Sequence, residues 1–239
     1  MKTKTIQIGL ALLALFCLAL PSKAQQLIGS TGLMNIPTAD MQPEATFVGG
    51  ASIFQQEASN GGFNYDTGLY FVSFTPFKFI EGTFRFSLLK TKHNVNGKTG
   101  YYRQDRSSTL RIRPLSEGKW WPSVVIGMND PFTTGGDSPY MSYFGAATKH
   151  LSLGRAGQIG LTAGYAKPFK SGVMYDGVFG GIDYSPLKSN NLHLTAEYDT
   201  HGFNLGVYGQ LWKALNLFVY THEFKGLAAG ISYQHTIKF

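Results

Sequence analysis

From Gly226 to its last residue the chain alternates. One face reads Leu227, Ala229, Ile231, Tyr233, His235, Ile237 and Phe239, and the other reads Ala228, Gly230, Ser232, Gln234, Thr236 and Lys238. Period-2 alternation specifies an extended strand that is oily on one side and small or polar on the other. Leu192–Asp199 repeats the pattern, with Leu192, Leu194, Ala196 and Tyr198 opposed to His193, Thr195, Glu197 and Asp199. Phe203–Leu211 does so again. Two folds accept such strands. A soluble sandwich buries the oily face on a second sheet, whereas a closed barrel turns it to lipid. Strand length separates them, because spanning strands need ~9–11 residues and soluble ones average ~5–6.

Twelve candidate strands emerge: Ala45–Phe54, Asp66–Thr75, Phe79–Lys90, Ser107–Leu115, Pro122–Asn129, Tyr140–His150, Gly157–Lys167, Tyr175–Ser185, Leu192–Thr200, Phe203–Trp212, Leu215–Glu223 and Gly226–Lys238. The number is even, as bacterial barrels require. The longest connections, 55–65, 91–106, 130–139 and 168–174, all fall at one end of the implied barrel. Long outward loops and short periplasmic turns are the barrel habit. Aromatics bracket the strands at Phe77, Phe79, Tyr101, Tyr102, Trp120, Trp121, Phe132, Tyr140, Trp212 and Phe224, where a barrel places its interfacial girdles. Charged residues are only 15% of the chain, against roughly 25% in ordinary soluble proteins. The expected fold is all-β, an antiparallel transmembrane barrel of about twelve strands.

The first residues read as an address. Lys2 and Lys4 precede an apolar run, Ile6–Leu20, which ends on Pro21-Ser22-Lys23-Ala24. This is the plan of a cleaved secretory signal peptide, with cleavage expected after Ala24. Cys17, the lone cysteine, leaves with it, so the mature chain carries no thiol. Losing Lys2, Lys4 and Lys23 leaves 18 basic against 14 acidic residues, a small surplus that argues against a nucleic-acid partner. Beyond the leader no stretch approaches the ~20 apolar residues of a membrane helix. A mature chain in the membrane must therefore cross it as a closed barrel.

A charge on the lipid face near the midplane costs ~2–4 kcal/mol, so polar residues alternating with apolar ones point into the lumen. Arg85, Arg111, Arg113, Asp183, Glu197 and Asp199 are the lumen-facing candidates, able to pair across the barrel or to line a path. The expected outward loop from Thr91 to Arg106 carries Lys92, Lys98, Arg103 and Arg106, a basic set suited to acidic sugars of lipopolysaccharide or of an exported polymer. No G-x-S-x-G, H-E-x-x-H or P-loop motif occurs, and no cofactor or metal site is expected.

The run Thr31-Gly32-Leu33-Met34-Asn35-Ile36-Pro37-Thr38-Ala39-Asp40-Met41-Gln42-Pro43-Glu44-Ala45-Thr46-Phe47 resembles the opening of the YjbH-like family of outer-membrane proteins associated with exopolysaccharide and capsule production. Gly32, Asn35, Pro37 and Pro43 carry that resemblance, while Ala45 stands where the family commonly has Gly. A second stretch, Phe179–Tyr184 with Leu194–Asp199 and Asn204–Gly206, is similar to a later part of the same family. The resemblance implies a Gram-negative outer-membrane barrel linked to polysaccharide production or export, with membrane lipids, lipopolysaccharide, surface polysaccharide or export proteins as partners. An accessory barrel of another envelope complex and a lipid-modifying barrel enzyme are the alternatives. Read without the family, residues 25–44 are Gly- and Pro-punctuated and belong to no central strand, serving equally as a lead-in or as a plug of the periplasmic mouth.

Overall fold

The computed structural model describes residues 24–58, 66–95, 98–132, 138–169, 174–186, 191–212 and 214–237, with backbone alone for 89–104. The leader expected over residues 1–24 lies outside them except for Ala24. Twelve strands are described: β1 (Thr46–Phe54), β2 (Thr67–Phe77), β3 (Ile80–Val95), β4 (Lys98–Leu115), β5 (Ser123–Asn129), β6 (Ser142–Ser152), β7 (Gln158–Pro168), β8 (Gly177–Ser185), β9 (Leu192–Tyr198), β10 (Phe203–Leu211), β11 (Leu215–His222) and β12 (Gly226–Thr236). Each pairs antiparallel with its sequence neighbours. β1 pairs with β12 from Thr46↔Thr236 to Phe54↔Ala228, so the sheet closes into the barrel that the alternation implies.

Burial is inverted relative to a soluble protein. Along β3 and β4 the fully buried inward residues are Glu81, Thr83, Arg85, Ser87, Ser107, Thr109 and Arg111, while Phe84, Leu110 and Ile112 are exposed on the outside. The same division runs around the wall, with Ile53, Val72, Ile126, Val178, Leu205, Val219 and Ile231 outside. An outer face of this kind is stable only against hydrocarbon, and the closed ladder leaves no edge unpaired in that medium. Phe77, Phe79, Trp120, Trp121 and Trp212 ring the end with short turns, and Phe132 and Phe224 stand at the other, whereas Tyr140 is buried inside the barrel and Tyr101 and Tyr102 lie within β4 rather than at a strand end.

One expected loop is strand. Residues 91–95 and 98–106 continue the β3–β4 hairpin, whose arms run 16 and 18 residues where the other strands run 7 to 11. At ~3.3 Å per residue such arms reach ~50 Å, twice the ~25 Å apolar band, so the hairpin projects beyond the barrel rim. Lys92 thus lies in β3, and Lys98, Arg103 and Arg106 lie in β4. The polar composition suggested a loop because strands were sought by their oily face. Once clear of the membrane a strand no longer needs one, and Thr91, Val95, Thr99, Tyr101 and Tyr102 are good β-formers. The intervening Asn96-Gly97 pair falls outside the described residues.

Residues upstream of β1 fill the barrel. Every residue from Ala24 to Ala39 is buried, and the segment folds on itself through the bridges Gln25↔Thr31 and Gly32↔Pro37. Gly29 adopts φ +90° with the ring of Phe71 against its Cα, where a side chain would meet both backbone strain and a collision. Leu27, Ile28, Leu33, Met34 and Ile36 form an apolar core with the inward Val48, Leu69, Phe71, Tyr208 and Phe218. Gly181 and Gly206 make room on the wall. A Cβ at Gly181 would sit 2.6 Å from Leu33, and one at Gly206 would strike the Met34 sulfur.

Pro43 and Glu44 are exposed where the chain turns into β1, and Ala45 takes φ 56° there. An L-residue in this left-handed region is strained by roughly 1–2 kcal/mol, which Gly escapes. Ala45→Gly should therefore stabilise the barrel by about 1 kcal/mol, net of Gly's extra chain entropy, raising its urea unfolding midpoint in detergent without changing the slope.

Candidate functional site: the occupied lumen

The segment within the barrel is irregular, so its backbone groups need partners that no ladder supplies. The wall supplies them mainly through charged side chains. Glu197 on β9 accepts the amide hydrogens of Met34 (3.0 Å), Asn35 (2.7 Å) and Ile36 (3.4 Å), plus the Asn204 side-chain amide (2.8 Å). Asp199 accepts from the side-chain amides of Asn35 (2.8 Å) and Asn204 (2.6 Å). Tyr220 on β11 donates to the Asn35 side-chain oxygen, Oδ1, at 2.9 Å, so β9, the turn that follows it and β11 grip one asparagine.

A second grip lies on β3 and β4. Glu81 accepts from the Thr31 amide at 2.8 Å and from its hydroxyl, and sits 3.8 Å from the Arg111 guanidinium. Arg111 donates to the carbonyls of Thr31, Thr38 (2.7 Å) and Asp40. Both side chains are fully buried, and the hydrogen bonds to the segment offset the desolvation that the ion pair alone would not. Arg85 reaches the Ile28 carbonyl at 3.4 Å, Ser52 donates to the Leu27 carbonyl at 2.9 Å, and Thr148 accepts from the Ala39 amide at 2.8 Å.

The other residues singled out by sequence stand apart from this grip. Arg113 is half-buried at the short-turn rim, donating to the Lys78 carbonyl at 2.6 Å. Asp183 is also half-buried and lies 2.9 Å from Nδ1 of His193, across a small polar cavity from Thr38, Asp40 and His150. In the turn 116–122, Glu117 accepts from His150 (2.7 Å) and Lys149 (3.0 Å). Burial pushes its carboxyl up, but those donors outweigh it and hold the group below the usual carboxylate range. Gly32 leaves no room for a Cβ beside the Ile36 carbonyl, Pro37 pairs with it, and Pro43 is outside on the rim. On the hairpin, Arg106 is exposed on the outer face, and the side chains of Lys92, Lys98 and Arg103 fall outside the described ones.

Sequence reading missed Glu81, Asn204 and Tyr220. Glu81 was detectable, since it shares the parity of Arg85 on the same strand. Among the described residues no group of three His, Cys, Asp or Glu side chains could hold a metal ion. Chemically, the arrangement is a holder of backbone amides and carbonyls inside a lipid-facing wall.

The chain is similar to several solved barrels at low identity. The KdgM porin aligns with a TM-score of 0.48 at 10% identity, covering 80% of this chain and 99% of that one. The outer-membrane protein Omp33 of Acinetobacter baumannii aligns at 0.43 and 8%, covering 81% and 99%. The outer-membrane phospholipase of Salmonella typhi aligns at 0.37 and 11%, covering 83% and 93%. No curated protein matches the chain significantly. The YjbH family model, described as "Exopolysaccharide biosynthesis protein YbjH", matches residues 24–236, which run from the first buried residue of the luminal segment to the end of β12. With both the wall and its filling inside that match, the chain belongs to the YjbH family.

Proposed function

We propose that this barrel assists production or export of a surface polysaccharide across the outer membrane, with its N-terminal segment acting as a plug. The observation that carries the reading is the family match, which spans the plug together with the wall. The grip described above supports the plug. Carboxylates and a guanidinium holding backbone groups make a contact that can be released as a unit, because the wall residues keep partners on neighbouring strands (Asn204 for Glu197, Glu81 for Arg111). Lipids and lipopolysaccharide cover the outer belt, and the projecting basic hairpin stands where outward-facing acidic sugars would meet it.

Deleting the gene should lower cell-surface polysaccharide severalfold while leaving acyl-chain composition unchanged, as read by sugar analysis and lipid mass spectrometry of the same cells. Restoration by the intact gene completes the test. Unchanged polymer would refute the reading, and altered acyl chains would favour a lipid-modifying enzyme instead.

A further inference from the structure

Arg85 is fully buried, yet it differs from Arg111 in one respect. Arg111 has Glu81 beside it, whereas among the described residues no carboxylate is within ion-pair reach of Arg85. Its guanidinium donates to the Thr109 hydroxyl (2.7 Å) and, at 3.4 Å each, to the carbonyls of Ile28 and Ser108. Nε has no partner. A buried cation without a counter-charge is costly, and the cost is relieved by any anion that reaches it. Charged groups in the neighbourhood have other ties. Asp130 accepts from the Ser108 amide and the Ser138 hydroxyl, and Asp105 stands opposite Ser87, two residues along the hairpin on the same inward face.

The groups around Arg85 are selective ones. Ser107 stands directly across the β3–β4 ladder, also inward, and its hydroxyl is buried without a partner. Tyr140, from the connection between β5 and β6, lays its ring 4.5 Å from the guanidinium carbon and its hydroxyl 3.1 Å from Ser87. Tyr175, from the connection between β7 and β8, is buried next to the Tyr140 segment, where the Met174 amide donates to the Pro139 carbonyl at 3.0 Å, and its hydroxyl is also unpartnered. A planar guanidinium matches a carboxylate fork, unpartnered hydroxyls match ring hydroxyls, and an aromatic face accepts the apolar face of a sugar.

We propose that Arg85, Ser107, Tyr140 and Tyr175 form a binding site for the carboxylate-bearing unit of an acidic saccharide, set in the lumen on the side of the longer connections. This rests on the polysaccharide reading above and gives it a substrate class. The Tyr140 ring lies over the guanidinium, so an arriving carboxylate would displace it toward the sugar.

The test is titration calorimetry of the intact barrel in detergent with three probes: a glucuronate oligosaccharide, a neutral glucose oligosaccharide of equal length, and inorganic phosphate. The acidic oligosaccharide should bind with an affinity that falls as salt is raised, while the neutral one gives no heat. Arg85→Met should weaken binding at least about tenfold, which is ~1.4 kcal/mol, with Arg85→Lys between. Ser107→Ala, which disturbs the wall least, should weaken it by a smaller factor. Heat-dependent gel mobility confirms that each variant is a folded barrel. Equal binding of the neutral probe, equal binding of phosphate, or an unaffected Arg85→Met protein would each overturn the site. Loss of surface polymer on gene deletion without acidic-sugar binding overturns the site alone. Binding with unchanged polymer overturns the polysaccharide reading alone.

Discussion

Removing residues 26–42 should turn an occluded barrel into a conducting one. In planar bilayers the shortened protein is expected to pass at least about tenfold more ionic current than the intact chain, because a barrel of twelve strands with its filling removed leaves an aqueous path. The wall should survive the change. Its ladder is closed by β1 and β12 independently of the segment, and beside an apolar patch of Val48, Leu69, Phe71 and Phe218 the inward residues it uncovers are hydroxyls, amides and charges that water can satisfy. Glu81, Arg111 and Glu197 would then line the pore, so its ion selectivity should respond to Arg111→Ala. An intact, detergent-stable barrel with no added conductance would show that the longer connections, not this segment, close the lumen.

Glu197→Ala should loosen the segment without removing it. Three backbone N–H groups lose their acceptor, each costing ~1–3 kcal/mol if left buried and unpaired. Water replaces part of that loss, leaving a net shift of about 3 kcal/mol toward a loosened state within the lumen, or roughly 150-fold in its population. The single cysteine of the sequence, Cys17, precedes the expected cleavage point, so a cysteine introduced by Ala39→Cys is a clean reporter. Ala39 is fully buried, and its replacement should react slowly with a maleimide in the intact protein. Adding Glu197→Ala should accelerate labelling roughly 100-fold, in line with that population shift. Glu197→Gln keeps one carbonyl acceptor but trades charge-assisted bonds for neutral ones, so it should fall between. Equal labelling rates in all three proteins would show that Glu197 does not hold the segment.

The wall was legible because a strand buried on one face announces itself every second residue. Ile231 against Ser232 and Leu194 against Thr195 specify register and sidedness together, and the observed ladders keep both. What lies inside was far less legible. An irregular segment has no period, so residues 25–44 read equally as a lead-in or a plug. Its fixing contacts link residues far apart in sequence, such as Asn35 with Glu197 and Thr31 with Glu81. Nothing in either local stretch encodes such a pairing. His193 is likewise tied to Asp183 on the adjacent strand. The β3–β4 extension was missed for the opposite reason, because a strand that leaves hydrocarbon sheds the oily alternation by which strands were recognised.

The order of parts along the chain has a consequence for biogenesis. The luminal segment precedes β1, while its anchors sit on β3, β4, β9 and β11 and the seam joins β1 to β12. Once that seam zips shut, a loop folded on itself and buried on all sides could hardly be threaded in from an end. The segment must already be lying against the curling sheet, serving as a mandrel around which the cylinder is wound. Moving the same residues behind β12 would keep every contact available on paper and yet ask the chain to fill a vessel already sealed.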